Sequence, residues 1–317
     1  MVRFTVLASG SKGNSSIVSS ISADGGSTRI LVDAGLSCRE LFRRMALVGE
    51  DPKTLDAIVI THEHSDHVNG LAVTARKLGI PVYFTEATHR AWVRQVTPQH
   101  RVTYAEWAEQ YKAKKLAAEA PDAEPDAAEL EEAPCEPSNA ASPESAPDPA
   151  RLPAVNYFRA GEAFQIGEIA VSPFTIPHDA ADPVGFVFSA EGVRLAIATD
   201  LGYMPPNVQS QLRRCDLMLL ESNHDLEMLR DGPYPWSVKQ RVLSRVGHLS
   251  NDAAAQFLEQ IYDGAATYLI LGHLSESNNL PELARLAAER ALISKPNLLA
   301  NRLLLAAQHE PLESICF

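Results

Sequence analysis

The chain has 317 residues, of which 45% are apolar and 21% charged, a composition typical of soluble globular proteins with one large or two ordinary domains. No run approaches the roughly 18 apolar residues that cross a membrane, and the first residues turn polar too soon for a signal peptide. The four cysteines are scattered without paired spacing, which argues against a disulfide framework or a zinc knuckle. These features predict a cytoplasmic protein.

The net charge of −12 is unevenly distributed along the chain. Residues 105–150 carry a net charge of −9, and the rest of the chain carries only −3. A nearly neutral body can present a local basic surface, so the overall charge does not exclude a phosphodiester substrate.

Short apolar segments alternate with helix-like segments in the first part of the chain. Strands are predicted at residues 4–7, 17–18, 29–32, 55–60 and 82–84. Helices are predicted at residues 38–48 and 71–78, where apolar residues recur every three to four positions, and Gly79 ends the second helix. A glycine- and serine-rich loop at residues 8–16 lacks the spacing of a phosphate-binding loop, and we interpret it as a structural turn beneath the site described next.

Residues 105–153 differ from the rest in composition. After a helix-like segment at 106–112, the segment at about 117–152 is rich in Ala, Pro, Glu and Asp and has almost no large apolar residue. Such a segment cannot bury enough surface to offset its ordering entropy. We therefore predict a single domain over residues 1–317, interrupted by a disordered or weakly helical insertion. A partner-binding acidic segment is the alternative.

The alternating pattern returns beyond the predicted insertion. Strands are predicted at residues 169–174, 184–188, 193–198, 217–220 and 268–271, with a final strand at 302–306. Helices are predicted at residues 237–246, 251–261 and 281–293. Many short strands with interspersed helices favour an α/β (α+β) architecture in which two mixed β-sheets pack face to face with helices outside.

The stretch His62-Glu63-His64-Ser65-Asp66-His67 directly follows a predicted buried strand. Imidazole and carboxylate are ligands that zinc, manganese and iron accept in proteins. His62 and His64 alternate along an extended segment and would face one way, whereas Asp66 and His67 follow a turn and would face a second position. One loop can therefore build two adjacent metal sites.

Residues of the ligand type also follow several other predicted strands. They are Asp33, His178, Asp200, Glu221 and His273. Because the ends of neighbouring strands meet at one edge of a sheet, we expect these side chains to converge. A carboxylate can bridge two ions and an imidazole cannot, so Asp200 is the expected bridge, with His178 and His273 completing the two ligand sets.

The loop matches the HxHxDH signature of the metallo-β-lactamase fold superfamily, and Asp33, His178, Asp200 and His273 resemble its other motifs in the expected order. The resemblance covers nearly the whole chain except the acidic segment. It implies a four-layer αββα sandwich with a dinuclear site. True zinc β-lactamases have a cysteine at the position of Asp200, and the diiron flavoproteins have an acidic residue at the position of His64. This chain has neither substitution.

Within that superfamily, several segments resemble the YycJ/WalJ-like proteins. These segments are residues 8–15, 178–183, 221–225, 232–237, 247–251 and 272–275. The resemblance implies a cytoplasmic phosphodiesterase or nuclease, with exonuclease action on DNA. The long acidic insertion departs from this group.

The residue roles follow from these motifs. His62, His64 and His178 are expected to hold one of two divalent ions, which are Zn or Mn, with Fe also possible. Asp66, His67 and His273 are expected to hold the other, with Asp200 bridging. Asp66 is also predicted to be catalytic, and His248 and Glu221 resemble the pair that assists leaving-group protonation in the transfer-RNA 3′-processing ribonucleases. Asp33 is expected to orient a ligand histidine.

Three functions remain open. The first is a dinuclear metal-dependent phosphodiesterase or nuclease that acts on DNA or RNA through a hydroxide bridging the ions. The second is a small-molecule hydrolase of a thioester, lactone or cyclic phosphodiester that uses the same ions. The third is an inactive metal-binding regulator that binds a partner through the acidic segment. The intact ligand set argues against the third.

Overall fold

The computed structural model of the chain describes residues 1–22, 24–97, 112, 148–293, 295 and 302–317. These residues form two compact units, Met1–Arg94 with Ala150–Phe317, and Gln95–Pro149. Both sheets and the site described below lie in the first unit. The helix predicted at 106–112, apart from residue 112, and most of the insertion predicted at 117–152 lie outside the described residues. They stay predictions, as does the single domain.

One sheet is built from the two ends of the chain. Its strands are β1 (Val2–Ala8), β2 (Ser15–Ile21), β3 (Ser27–Val32), β4 (Ala57–Val59), β5 (Val82–Phe84), β6 (Val155–Tyr157) and β14 (Ile315–Cys316). Their order is β14-β1-β2-β3-β4-β5-β6. The sheet is mixed, because β14 to β3 pair antiparallel, whereas β3 to β6 pair parallel.

The other sheet is also mixed and has seven strands. Its strands are β7 (Phe164–Ile166), β8 (Ile169–Thr175), β9 (Val184–Ala190), β10 (Val193–Ala198), β11 (Leu217–Glu221), β12 (Tyr268–Gly272) and β13 (Leu303–Leu305). Their order is β13-β12-β11-β10-β9-β8-β7, with antiparallel pairs from β7 to β10 and parallel pairs from β10 to β13.

Helices cover the outer faces of the two sheets. They are α1 (Cys38–Leu47), α2 (Ser65–Val68), α3 (Leu71–Leu78), α4 (Glu86–Val96), α5 (Pro206–Gln211), α6 (Leu226–Asp231), α7 (Trp236–Val242), α8 (Asn251–Gln260) and α9 (Pro281–Leu292). The predicted architecture of two mixed sheets flanked by helices is confirmed. Among the described residues, no helix is both long enough and apolar enough to span a bilayer.

Alternation of side chains along the strands accounts for the layers. In β11, Leu217 and Leu219 belong to the core between the sheets, together with Phe4 and Phe186. Met218 and its alternate neighbours face the other way, into a second core that contains residues of α8 and α9. Because successive side chains point to opposite faces, a run that is apolar throughout is buried on both sides.

Two differences between the predicted elements and the structure have a clear physical reason. The strand at 302–306 is not the last, because β14 follows it and pairs with β1; two residues are too short to produce a recognisable sequence period. The helix predicted at 237–246 ends at Val242, because the chain turns there and brings Gly247 against the end of the helix. A Cβ at Gly247 would lie 2.1 Å from the Val242 carbonyl oxygen.

Candidate metal centre

The histidine-rich loop joins β4 to α2, as expected for residues that follow a buried strand. His62 and His67 are fully buried and their ring centroids are 4.1 Å apart, while those of His62 and His64 are 4.6 Å apart. Asp66 and His67 lie in α2, after the chain has turned. The loop therefore directs its side chains to two neighbouring positions.

Close backbone packing holds this loop against the end of β3. Asn14 N donates to Asp66 O at 2.7 Å, and Ala34 N donates to His67 O at 2.8 Å. A Cβ on Gly35 would lie only 1.7 Å from the Asp66 carbonyl oxygen, so only glycine allows this approach. The glycine- and serine-rich loop thus supports the site from below.

The first group of donors is His62, His64 and His178, whose nearest ligand-type atoms lie within 4.8 Å of one another. His178 Nε2 is 3.2 Å from His64 Nδ1. His178 Nδ1 donates to Gly247 O at 3.1 Å, which leaves Nε2 free to bind a cation. The loop after β8 therefore delivers His178 to the histidines that follow β4.

The second group is Asp66, His67 and His273. Asp66 Oδ2 lies 3.5 Å from both His67 Nε2 and His273 Nε2. His67 Nδ1 donates to Asp33 Oδ2 at 2.8 Å, so Asp33 directs the other ring nitrogen toward the group, as expected for an orienting carboxylate. Asp33 also accepts hydrogen bonds from the backbone and hydroxyl of Thr61.

Asp200 lies between the two groups. Its Oδ2 is 3.3 Å from His67 Nε2, and its Oδ1 is 3.5 Å from His273 Nε2 and 3.9 Å from His178 Nε2. The carboxylate is 2% exposed. Its two oxygens therefore approach histidines of both groups, which is the geometry that a bridging ligand needs.

Three of these residues adopt left-handed backbone conformations directly after strands. Asp33, Asp200 and His273 have φ values of 59°, 62° and 56°. This region is sparsely populated by residues other than glycine and costs on the order of 1–3 kcal/mol per residue. Backbone strain of this kind clusters at functional sites, where it aims side chains that a regular strand would point elsewhere.

The donor set fits divalent cations. Among the described residues, His62 Nε2, His273 Nε2 and Asp200 Oδ2 are buried without a hydrogen-bond partner, and such orphaned atoms are costly unless a ligand satisfies them. Burial lowers the pKa of His62, and a neutral imidazole is the form that binds metal. Burial opposes ionisation of Asp200, but His273 and His67 outweigh it and hold the pKa of this carboxyl well below its usual range.

Glu221, at the end of β11, connects the second group to His248. Its Oε1 accepts hydrogen bonds from His273 Nδ1 at 2.9 Å and from His248 Nδ1 at 2.8 Å. Burial disfavours the charged carboxylate, but His248 and His273 outweigh it and lower its pKa. The ionised Glu221 therefore fixes the orientation of both rings. The side chain of His248 stays partly exposed at the rim.

Some supporting residues were not recognised in the sequence. Asn14 Nδ2 donates to Asp66 Oδ2 and approaches His67 Nε2, both at 3.0 Å, and Asn223 Nδ2 donates to His273 O at 2.8 Å. An asparagine next to a ligand-type motif is a weak signal, because it is equally common in turns. His224 is buried, and burial lowers its pKa to about 4.

We expect Asp33→Asn to weaken metal binding by about 10- to 100-fold, the usual effect of removing a carboxylate that orients a ligand histidine. Asparagine tolerates the left-handed backbone, but it lacks the negatively charged oxygen that accepts the hydrogen bond from His67 Nδ1. Competition with a chromophoric chelator measures the affinity. Asp56→Asn is the matched control, because exposed Asp56 accepts from Arg29 N at the opposite end of β4. Equal affinities in both variants would contradict the role of Asp33.

The family model described as "Metallo-beta-lactamase superfamily" matches residues 10–288. The exodeoxyribonuclease YycJ of Bacillus anthracis is 32% identical over 297 residues, covering 93% of this chain and 90% of the relative. The exodeoxyribonuclease WalJ of Streptococcus pneumoniae is 31% identical over 284 residues, covering 90% and 86%.

Solved structures share the fold at lower identity. The metallo-beta-lactamase fold protein YhfI of Bacillus subtilis aligns over 99% of this chain and 100% of its own, with a TM-score of 0.59 and 13% identity. The short form of human tRNase Z aligns over 98% of each chain, with a TM-score of 0.53 and 15% identity. With the family match and the His/Asp donor groups, these findings show that the chain belongs to the metallo-beta-lactamase superfamily and is a metal-dependent hydrolase.

Proposed function

We propose that the enzyme is a dinuclear metal-dependent phosphodiesterase that hydrolyses DNA. The observation that carries this proposal is the pair of donor groups that approach each other at Asp200. Two ions need a shared anionic ligand to stay close, and a buried carboxylate with histidines on both sides suits that purpose. The substrate is inferred from the relatives that are named exodeoxyribonucleases.

In this proposal His62, His64 and His178 would hold one ion, Asp66, His67 and His273 would hold the other, and Asp200 would be shared between them. Bound divalent ions would lower the pKa of water and neutralise charge on the phosphate oxygens. Asp66 is partly exposed, so its carboxylate can accept a hydrogen bond from water that enters the site.

His248 would donate the proton that the leaving oxygen requires. A nucleoside oxygen is a poor leaving group unless it is protonated. His248 Nδ1 is engaged by Glu221, so only Nε2 can face the substrate and donate the proton. The same Glu221 oxygen holds His273, so the proton donor and the second donor group are positioned together.

We expect two ions per chain after reconstitution with Zn²⁺ or Mn²⁺, because the ligands comprise two groups and a shared carboxylate. Elemental analysis gives the stoichiometry, and a panel of DNA, RNA, bis-p-nitrophenyl phosphate and a thioester gives the reaction class. One ion or fewer per chain would contradict the dinuclear site. Two ions with hydrolysis of the thioester alone would favour a small-molecule hydrolase instead.

A further inference from the structure

The four Lys and Arg residues between Glu221 and His248 in the chain have different environments. Arg230 pairs with Asp231 at 2.9 Å, and Lys239 is buried, with its Nζ donating to the Arg230 carbonyl oxygen at 2.6 Å. Arg241 pairs with Asp179. The fourth is Arg245, which has no carboxylate within 4.0 Å among the described residues, so its charge is available to an external anion.

An aromatic ring holds Arg245 in place. Its guanidinium carbon lies 4.3 Å from the centroid of the Tyr203 ring. Such a cation–π contact contributes roughly 0.5–1 kcal/mol at an exposed site. A guanidinium over an aromatic ring still has N–H groups that can bind a phosphate through two hydrogen bonds.

Both residues are close in the chain to residues of the candidate metal centre. Tyr203 comes three residues after Asp200, and Arg245 three residues before His248. Three residues span at most about 10 Å, so Arg245 is close to the proposed proton donor. A Cβ on Gly202 would lie 2.2 Å from the Arg245 carbonyl oxygen, which shows how tightly the two segments pack.

Backbone hydrogen bonds tie the same two segments to the loop that carries His178. Gly202 N donates to Pro177 O at 2.9 Å, and Asp179 N donates to Val246 O at 3.1 Å. The position of Arg245 is therefore determined by the segments that also position His178 and His248. Arg245 is exposed and has no carboxylate partner among the described residues, so its charge can meet the phosphate of a bound strand.

We propose that Arg245, held on the ring of Tyr203, binds a backbone phosphate of the DNA strand next to the phosphodiester that is hydrolysed. The inference rests on the proposed phosphodiesterase function and adds a binding site for the flanking strand. A substrate with one phosphodiester and no neighbouring phosphate would not use this site, whereas each longer strand would.

The test compares Arg245→Ala with Arg213→Ala. Arg213 is also exposed and without a carboxylate partner among the described residues, but it precedes β11 and so lies at the opposite edge of the sheet. The probe is a fluorescein-labelled phosphorothioate oligothymidylate, which keeps one charge per linkage and is cleaved slowly. Fluorescence anisotropy gives its Kd at several salt concentrations.

We expect Arg245→Ala to weaken binding about ten-fold, the effect of one lost charged hydrogen-bond pair. The slope of log K against log salt should fall by about 0.7 in magnitude on this single-stranded probe, because one phosphate is no longer neutralised. Tyr203→Ala should cause part of this loss, while Tyr203→Phe keeps the ring and binds like the wild type. Arg213→Ala should match the wild type in both quantities.

Two controls separate the possible failures. Arg245→Gln keeps the carbon stem up to Cδ and a polar end without the charge, and it replaces Arg245→Ala if the alanine variant does not fold; melting temperatures verify folding. Equal Kd and salt slope in the Arg245 and Arg213 variants would overturn the phosphate site, while DNA hydrolysis by the wild type leaves the proposed function intact. A wild type that hydrolyses bis-p-nitrophenyl phosphate but neither binds nor cleaves DNA would overturn both.

Discussion

Asp200→Asn is expected to lose at least one ion per chain and to lower kcat/KM for bis-p-nitrophenyl phosphate by at least about 10³-fold, because ions at such sites contribute several kcal/mol to the transition state. Asparagine has the same shape and accepts a φ of 62°, so the loop after β10 should keep its conformation. The change therefore removes the charge that His67 and His273 face without removing the side chain.

The measurements for Asp200→Asn are elemental analysis of the reconstituted protein and steady-state kinetics on the same sample. Asp231→Asn is the control, because it removes one carboxylate charge from an exposed pair with Arg230, away from the donor groups. That variant should keep both ions and its activity. An Asp200→Asn protein that retains two ions and more than a tenth of the activity would contradict the bridging role.

His248→Ala is expected to keep both ions and to lose about 10²- to 10⁴-fold in kcat with DNA, the usual contribution of a general acid. The loss should be much smaller with bis-p-nitrophenyl phosphate, because p-nitrophenolate is a good leaving group and needs little protonation. The physical basis is the contact with Glu221, which engages His248 Nδ1 and leaves one ring nitrogen for the substrate.

His273→Ala provides the comparison for His248→Ala, because both rings donate to the same Glu221 oxygen. It should lose one ion and activity on both substrates. The grouping of Asp200, Glu221, His248 and His273 could also hold an ion, with His248 as a ligand. If His248→Ala loses an ion and His273→Ala keeps two, the two histidines have exchanged roles and the proposed ligand set is wrong.

Local sequence was sufficient for much of the fold and for the residue types at the site. The strands are short apolar runs, and the two-residue period of side chains explains why β11 is buried on both faces. The metal-ligand-type residues of the loop His62–His67 lie within six sequence positions, so a single turn of the chain is enough to bring them together. Asp33, Asp200 and His273 were found because each follows a strand, and parallel strands bring their ends to one edge of a sheet.

Tertiary structure decided the contacts between residues that are far apart in the chain. Glu221 joins His248 and His273 although they lie 27 and 52 positions away, and Asn14 reaches Asp66 across 52 positions. No sequence period encodes such pairs, because they depend on how two sheets and their loops pack. The same holds for Arg245. In the sequence it is one of four basic residues between Glu221 and His248, and nothing there distinguishes it. In the folded chain Arg230 and Arg241 pair with acids and Lys239 is buried, whereas Arg245 lies over the ring of Tyr203.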